Sequence, residues 1–256
     1  MTIISSFKAP AKLNIFLKIT GKITDGINAG YHTLSSRFVR FDGLFDELNL
    51  IEREDDNGIL FKNSINDNIL FKAYAELLNM GFKEKLESFF KDKQIFLQKN
   101  IPSGAGLGGG SSDAAAFLLM MQGNLGFDND ILKKVSAKIG ADVSFFASGF
   151  KSANVSGFGQ IVESFDDEIP TLGVILSKIF CSTPEVYKAY SKGSFIKDVN
   201  LAKKLENSSS KEILASYENF VLNDLLAPVM AIYAGFDIKE NEFLSGSGSA
   251  KFKVLV

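Results

Sequence analysis

Between Ile101 and Met121 the chain reads IPSGAGLGGGSSDAAAFLLMM, in which five glycines and three serines run straight into an alanine-rich apolar stretch. No other segment restricts the fold as strongly. Ahead of it, KQIFLQKN carries Ile95, Phe96 and Leu97 in a short strand pattern. Behind it, Ala114 to Met121 favours helix, and Ser111, Ser112 and Asp113 are suitable N-cap residues. The expected order is strand, glycine loop, helix start. Glycine admits positive φ and lets backbone approach a ligand with no Cβ in the way. The N–H groups and dipole of a helix start attract an anion, so a phosphate suits this loop. A flexible Gly/Ser linker has no reason to lead into DAAAFLLMM.

Three phosphate loops compete. A P-loop requires a lysine after its last glycine, and no lysine falls between Lys99 and Lys133. Gly104-x-Gly106-x-x-Gly109 matches the dinucleotide-binding pattern by letter, with Asp128 and Asp130 about the right distance on. But Ile101-Pro102-Ser103 separates strand from loop, and no strand precedes Asp128. The third form, P-x-x-x-G-L-G-G-G-S-S, matches from Pro102 to Ser112 throughout. This stretch resembles the ATP loop of the GHMP kinases, the superfamily of galactokinase, homoserine kinase and mevalonate kinase.

The resemblance continues along the chain. PAKLNIFLKITGK (Pro10 to Lys22) and GYHTL (Gly30 to Leu34) look like one branch, the 4-diphosphocytidyl-2-C-methyl-D-erythritol kinases. DNILFKAYAELL, IGADVSFF, STPEVY, NDLLAPV and LSGSGSAKF follow in the expected order. The branch usually reads Asp-Gly-Tyr-His, whereas DGINAGYH here carries four extra residues, INAG. The resemblance implies an α+β, two-domain GHMP kinase fold, with a ribosomal-S5-like N-terminal domain over 1–150 and a ferredoxin-like C-terminal domain over 151–256. It implies ATP and Mg2+ as cofactors. The implied reaction is phosphorylation of the 2-hydroxyl of the cytidine diphosphate-linked polyol, in the non-mevalonate isoprenoid route. The alternatives are another GHMP small-molecule kinase, or a nucleotide-binding module without catalysis.

The resemblance also implies residue roles. Pro102, Ser103, Gly104, Ala105, Gly106, Leu107, Gly108, Gly109, Gly110, Ser111 and Ser112 would wrap the ATP phosphates, with Lys99 and Asn68 near the adenine or ribose. Asp142 would be the base that deprotonates the acceptor hydroxyl, and Lys12 its cationic partner. Read alone, Asp142 after Gly140 is a helix cap and Lys12 a solvated strand lysine. Lys12 and Asn14 alternate with Leu13, Ile15 and Leu17, so they share a strand face; Asn14 is a substrate candidate too. For the cytosine, Tyr31 and Tyr187 would serve as stacking platforms and His32, the only histidine, would read the base edge. The glycine stretch Ser245 to Ser249 would lie against the ATP loop. Asp113 is a puzzle, because a carboxylate near an anion-binding helix start repels phosphate. Ser112 is a better candidate for a metal or phosphate-oxygen contact.

The remaining chain reads as mixed helix and strand. DNILFKAYAELLNMG puts Ile69, Leu70, Ala73, Tyr74, Leu77 and Leu78 on a helical stripe ending at Gly81, and NDILKKVSAKIG is a second helix stopped by Gly140. SANVSGFGQIVESF reads as a hairpin turning at Gly157 to Gly159, and LGVILSK as a buried strand. Ser182 with Glu185 forms a capping box, with Pro184 in the first turn. A net charge of −2 argues against nucleic acid as a partner. One cysteine, Cys181, rules out an internal disulfide or multi-Cys zinc site and reads as buried structure. No apolar run reaches membrane-span length and MTIISSFKAPAKLN lacks a signal-peptide core, so a cytoplasmic protein, monomer or weak homodimer, is expected.

Overall fold

The computed structural model describes residues 2–26, 29–53, 61–62, 69–193 and 197–255. Asn68 therefore lies outside the described residues. Two compact units divide the chain. One takes the chain up to Ala11, Asp42–Ile101 and Gly108–Gly149; the other takes Lys12–Phe41, Pro102–Leu107 and everything from Phe150 on. One unit ends at Gly149, and residues 12–41 and 102–107 group with the residues from Phe150 on. For residues 12–41 the cause is two long paired strands, β1 (Ile3–Lys22) and β2 (His32–Glu52), whose ranges extend over both groups, and for 102–107 it is their bonds to Cys181, Ser245, Ser249 and Ala250.

In the first unit, the second half of β2 pairs antiparallel with β4 (Lys93–Gln98), from Glu47↔Gln98 to Glu52↔Lys93. The short β3 (Phe61–Lys62) pairs parallel with β4. Helices α1 (Ile69–Asn79), α2 (Lys83–Phe89), α3 (Gly109–Leu125), α4 (Asn129–Ile139) and α5 (Ala141–Ser148) complete it. On α1 the expected stripe is buried through Leu70, Ala73 and Leu77. Helix α3 is buried on nearly every side, and its run of three alanines lets α1 and α5 approach closely. The Phe117 ring of α3 meets Phe61 edge-on at 5.4 Å.

In the second unit, the first half of β2 pairs antiparallel with β5 (Ser152–Gly157), which turns back as β6 (Ile161–Ser164), the expected hairpin. A three-stranded sheet runs in the order β7 (Leu172–Ile175), β9 (Lys251–Val254), β8 (Phe243–Leu244), the central strand being antiparallel to both neighbours. Only Leu172 of β7 is fully buried, because β7 is an edge strand rather than an interior one. Helices α6 (Thr183–Lys192), α7 (Val199–Glu206), α8 (Ser210–Ser216), α9 (Asn219–Leu222) and α10 (Leu226–Ile232) complete the unit. Its core gathers Leu17, Ile19, Cys181, Val186, Tyr190, Leu225, Leu226, Val229, Phe236 and Leu244.

The expected capping box at α6 does not form. Ser182 is the N-cap residue but its side chain caps nothing. The Tyr233 hydroxyl stands between the two residues instead: it accepts from the Ser182 N–H at 2.7 Å, as the Glu185 carboxylate would in a capping box, and donates to that carboxylate at 3.1 Å.

Candidate active site

The glycine loop is built in two halves. In the second unit, Gly104 and Gly106 both adopt positive φ, +69° and +75°. The backbone carbonyls from Gly104 to Leu107 are all engaged. Gly104 accepts from the N–H groups of Cys181 (3.2 Å) and Ser249 (3.3 Å), and Ala105 from Ala250 (3.0 Å). Gly106 accepts from the Ser245 hydroxyl (3.1 Å), and Leu107 from the Lys12 N–H (2.9 Å). Carbonyls tied to donors in this way are not left to repel an anion. The stretch Ser245 to Ser249 thus lies directly against this half of the loop, as expected. The contact is backbone on backbone: a Cβ on Gly248 would sit 1.9 Å from the Ala105 carbonyl carbon, and one on Gly106 would sit 2.1 Å from the Ser245 oxygen.

In the first unit the loop becomes a helix three residues earlier than the N-cap expectation. The N-cap is Gly108, with φ +73°, not Ser111, Ser112 or Asp113, and no side chain caps it. Only a residue tolerant of the left-handed region can end the loop here, which displaces the serines into the first turn. An uncapped start leaves the first-turn N–H groups without an intrahelical partner, the arrangement that receives an anion. The Ser112 hydroxyl is buried and has no partner among the described residues.

The Asp113 carboxylate does not point at a phosphate unopposed. Its Oδ2 meets Lys99 Nζ at 2.7 Å, and the same ammonium bonds Asp46. Burial, outweighing the attraction of Lys99, pushes the Asp113 carboxyl up to about 7. Lys99 is thus anchored between two buried carboxylates, with 34% of its side chain still exposed. Asp46 was absent from the sequence-based site. It lies mid-strand in GLFDELNL at the same parity as Leu44, Leu48 and Leu50, so the alternation itself carried the sign, left unused, that it faces inward.

Lys12 is not a solvated strand lysine. It is 4% exposed, its ammonium bonds Asn14 Oδ1, and it sits 4.6 Å over the Phe38 ring. The period-two placement on β1 brings the pair together as expected. Asn14 Nδ2 donates to Ser36 Oγ at 3.0 Å, and the Asn14 N–H donates to Ser245 Oγ at 3.3 Å. Gly246, at φ +60°, closes over both: a Cβ there would lie 3.2 Å from Asn14 Oδ1 and 3.3 Å from Lys12 Nζ. Asp142, in the first unit, stands in the first turn of α5. Gly140 is both the C-cap of α4 and the N-cap of α5, and Asp142 supplies no side-chain cap bond there.

The aromatic residues group around His32. Its ring lies 5.4 Å from Tyr187 at 33° and meets Tyr190 edge-on at 5.6 Å. Nε2 pairs with Ser191 Oγ at 3.1 Å. Burial first, then Lys22 and Lys197, lower the imidazole pKa, so the ring is neutral at pH 7 and carries one donor and one acceptor nitrogen. Tyr31 is 60% exposed and its ring faces Phe158 at 6.0 Å. The ring lying over Tyr187 is therefore the His32 imidazole. Of the extra residues INAG, 27 and 28 lie outside the described residues. The loop is closed at its neck by Gly30 N–H to Ile23 O and Ile23 N–H to Tyr31 O, both 2.8 Å. Cys181 is buried, its thiol pushed up to about 11 by burial, which fits a structural role.

The family model for the GHMP kinases N terminal domain matches residues 68–150. A Campylobacter jejuni 4-diphosphocytidyl-2-C-methyl-D-erythritol kinase is 44% identical over 257 residues, spanning 96% of this chain and 99% of that relative. The chain belongs to the 4-diphosphocytidyl-2-C-methyl-D-erythritol kinase family. The namesake from Sulfurimonas denitrificans is 37% identical across 97% of this chain and 96% of its own. A crystal structure of a 4-(cytidine 5'-diphospho)-2C-methyl-D-erythritol kinase superposes with a TM-score of 0.73 at 28% identity, over 98% of this chain and 90% of that one. Mevalonate kinase from Methanococcus jannaschii shares the fold at 14% identity, TM-score 0.61, over 98% of this chain and 90% of that one. A member of this kinase family is an ATP-using small-molecule phosphotransferase with the GHMP fold. No helix is long and apolar enough to cross a membrane among the described residues.

Proposed function

We propose that this kinase transfers the γ-phosphoryl group of ATP to the 2-hydroxyl of 4-diphosphocytidyl-2-C-methyl-D-erythritol, with Mg2+ as the metal. The observation that carries the reading is the near full-length identity to relatives bearing that name. Local chemistry supports it. Phosphoryl transfer depends mainly on positioning and charge stabilisation. The uncapped start of α3 and the carbonyl-tied loop suit the ATP phosphates, and the partnerless Ser112 hydroxyl suits a phosphate oxygen. Mg2+ is commonly held by substrate phosphates with one or two protein groups, and the buried Ser112 hydroxyl is the candidate oxygen for it here; when bound, it would neutralise charge on the phosphates.

Asp142 is assigned as the base. It accepts the proton of the acceptor hydroxyl as that oxygen attacks the γ-phosphorus, and the bond from phosphorus to the bridging oxygen breaks to release ADP. Lys12 is assigned to stabilise the developing alkoxide, with Asn14 fixing its ammonium. Lys99 and Asn68 are assigned to the nucleoside end of ATP. Tyr31 and Tyr187 are assigned to flank the cytosine. With Nε2 facing Ser191, the other ring nitrogen of His32 is assigned to the base edge. Because His32 itself lies over Tyr187, this arrangement requires the imidazole to yield its place to the base.

The test is ATP consumption with four acceptors: the cytidine diphosphate-linked methylerythritol, mevalonate, homoserine and galactose. Turnover with the first alone is expected. Faster turnover with any of the other three would overturn the substrate assignment.

A further inference from the structure

We propose that Asp46 is a positioning residue for nucleotide binding: its buried carboxylate sets the entry to the glycine loop and, through Lys99 and Asp113, the N-terminal part of α3. The inference rests on the reading of that loop as the ATP site. Strand β4 ends at Gln98, so the following residues lose their ladder partners. Asp46, fully buried on the neighbouring β2, replaces them: its Oδ1 accepts the N–H groups of Asn100 (2.5 Å) and Ile101 (2.8 Å). Its Oδ2 bonds Lys99 Nζ, and that ammonium reaches on to Oδ2 of Asp113, the fifth residue of α3. Gly109, the first residue of α3, packs into the same corner: a Cβ there would lie 2.9 Å from Ile101 Cγ2 and 3.3 Å from Asp46 Oδ2. One carboxylate therefore touches the end of the strand, the start of the loop and the start of the helix.

A stability role alone explains this poorly. Burying two carboxylates around one ammonium costs desolvation, and well-packed apolar residues usually do as well or better. What such a cluster supplies is fixed geometry. An acceptor with two oxygens can hold two N–H groups and an ammonium at once, which no apolar side chain can. The direction of the effect separates positioning from charge. Removing a carboxylate near an anion site should, by Coulomb attraction alone, tighten ATP binding. Weaker binding can then only come from lost positioning.

The experiment measures steady-state kinetics of Asp46→Asn and Asp46→Ala in the full chain, with folding checked by circular dichroism. Asp46→Asn keeps one acceptor oxygen and removes the charge; Asp46→Ala removes both. The expected result is a rise in KM for ATP of about tenfold for Asp46→Ala, the scale of one lost charge-assisted hydrogen bond, and a smaller rise for Asp46→Asn. Both kcat and the KM of the cytidine acceptor stay within about twofold, since Asp46 acts through the loop rather than on the reacting atoms. An unchanged or lowered KM for ATP in the folded variants would overturn the proposal. Amide exchange in the wild-type protein needs no variant: the Asn100 and Ile101 N–H groups should exchange slowly, and fast exchange at both would also overturn it. Direct titration of the wild type with ATP keeps the two readings apart. Failure to bind ATP defeats the loop assignment, whereas normal wild-type binding with unaffected variants defeats only the role of Asp46.

Discussion

Replacing Gly248 by Ala should damage nucleotide binding although residue 248 lies far along the chain from the glycine loop. The added Cβ would stand 1.9 Å from both the Ala105 carbonyl carbon and the Gly106 nitrogen. Carbon atoms in ordinary contact are about 3.5 Å apart, so the two backbones must separate by roughly 1.5 Å. Neither neighbour is a flexible side-chain tip that can swing aside. The displacement stretches the Ala250 N–H to Ala105 O bond from 3.0 Å and the Ser249 N–H to Gly104 O bond from 3.3 Å, beyond useful range. Two lost bonds at about 1 kcal/mol each, with about 1–3 kcal/mol of overpacking, give a destabilisation of roughly 3–5 kcal/mol. A misplacement of about 1 Å costs on the order of 100-fold in rate, so kcat/KM for ATP should fall by about that factor. Urea unfolding gives the first number and steady-state kinetics the second. Gly123→Ala is the internal control. Gly123 is an exposed position within α3 with nothing near its Cβ direction, so alanine there should stabilise by about 0.5–1 kcal/mol. Wild-type stability and wild-type KM for ATP in Gly248→Ala would refute the claim that the two loops are in backbone contact.

Other expectations are as direct. Asp142→Asn should lower kcat by about 10²–10⁴ while ATP still binds, as measured by single-turnover kinetics and ATP titration. Lys12→Ala should also lose turnover; near-normal kcat in either folded variant would remove that residue from the mechanism. His32→Ala should narrow the preference for the cytidine over the uridine form of the acceptor, read by competition kinetics at fixed ATP, because a wrong base no longer leaves a polar partner unmatched. Asp113→Asn should change how stability depends on pH. Burial raises the Asp113 carboxyl from the ordinary 3.8 to about 7, so the folded chain keeps a proton that the unfolded chain releases between those values. The contribution of Asp113 therefore falls as pH rises from about 4 to 7, by at most roughly 4 kcal/mol, and levels off above. Urea midpoints across that window should decline less steeply in Asp113→Asn than in the wild type; equal slopes would contradict the buried, proton-holding Asp113.

Much of this was legible in residues whose neighbours in sequence carry the signal. The strand, loop and helix around Pro102 to Ser112 follow from glycine and alanine placement, and Lys12 meets Asn14 because β1 alternates. Signals that depend on distant partners were not legible. Ser182 and Glu185 have the spacing of a capping box, yet Tyr233, about fifty positions on, takes the Ser182 N–H and binds the Glu185 carboxylate in its place. The N-cap of α3 fell on Gly108 rather than on the serines because the loop must end in the left-handed region. Asp113 reads as repulsive because its partner Lys99 and the neighbouring Asp46 come from other elements, whereas the inward face of Asp46 was legible from its shared parity with Leu44, Leu48 and Leu50. Helices α7 and α8 do carry local signals, an amphipathic stripe behind the Asp198 cap and a capping box between Ser209 and Glu212, which the sequence reading left unused; only the four-residue α9 has none.

The central claim concerns where the phosphoryl group goes, and phosphorus NMR of the reaction mixture tests it most directly. In the proposed acceptor, C2 carries the methyl branch and therefore no hydrogen. Incubation with ATP, Mg2+ and the cytidine diphosphate-linked methylerythritol should give ADP together with one new phosphomonoester signal. That signal should be a singlet in the proton-coupled spectrum, since no hydrogen lies on the carbon bearing the phosphorylated oxygen. A phosphomonoester split by carbinol hydrogens would place the transfer on a different hydroxyl. ADP formation with no new phosphomonoester would contradict the account altogether.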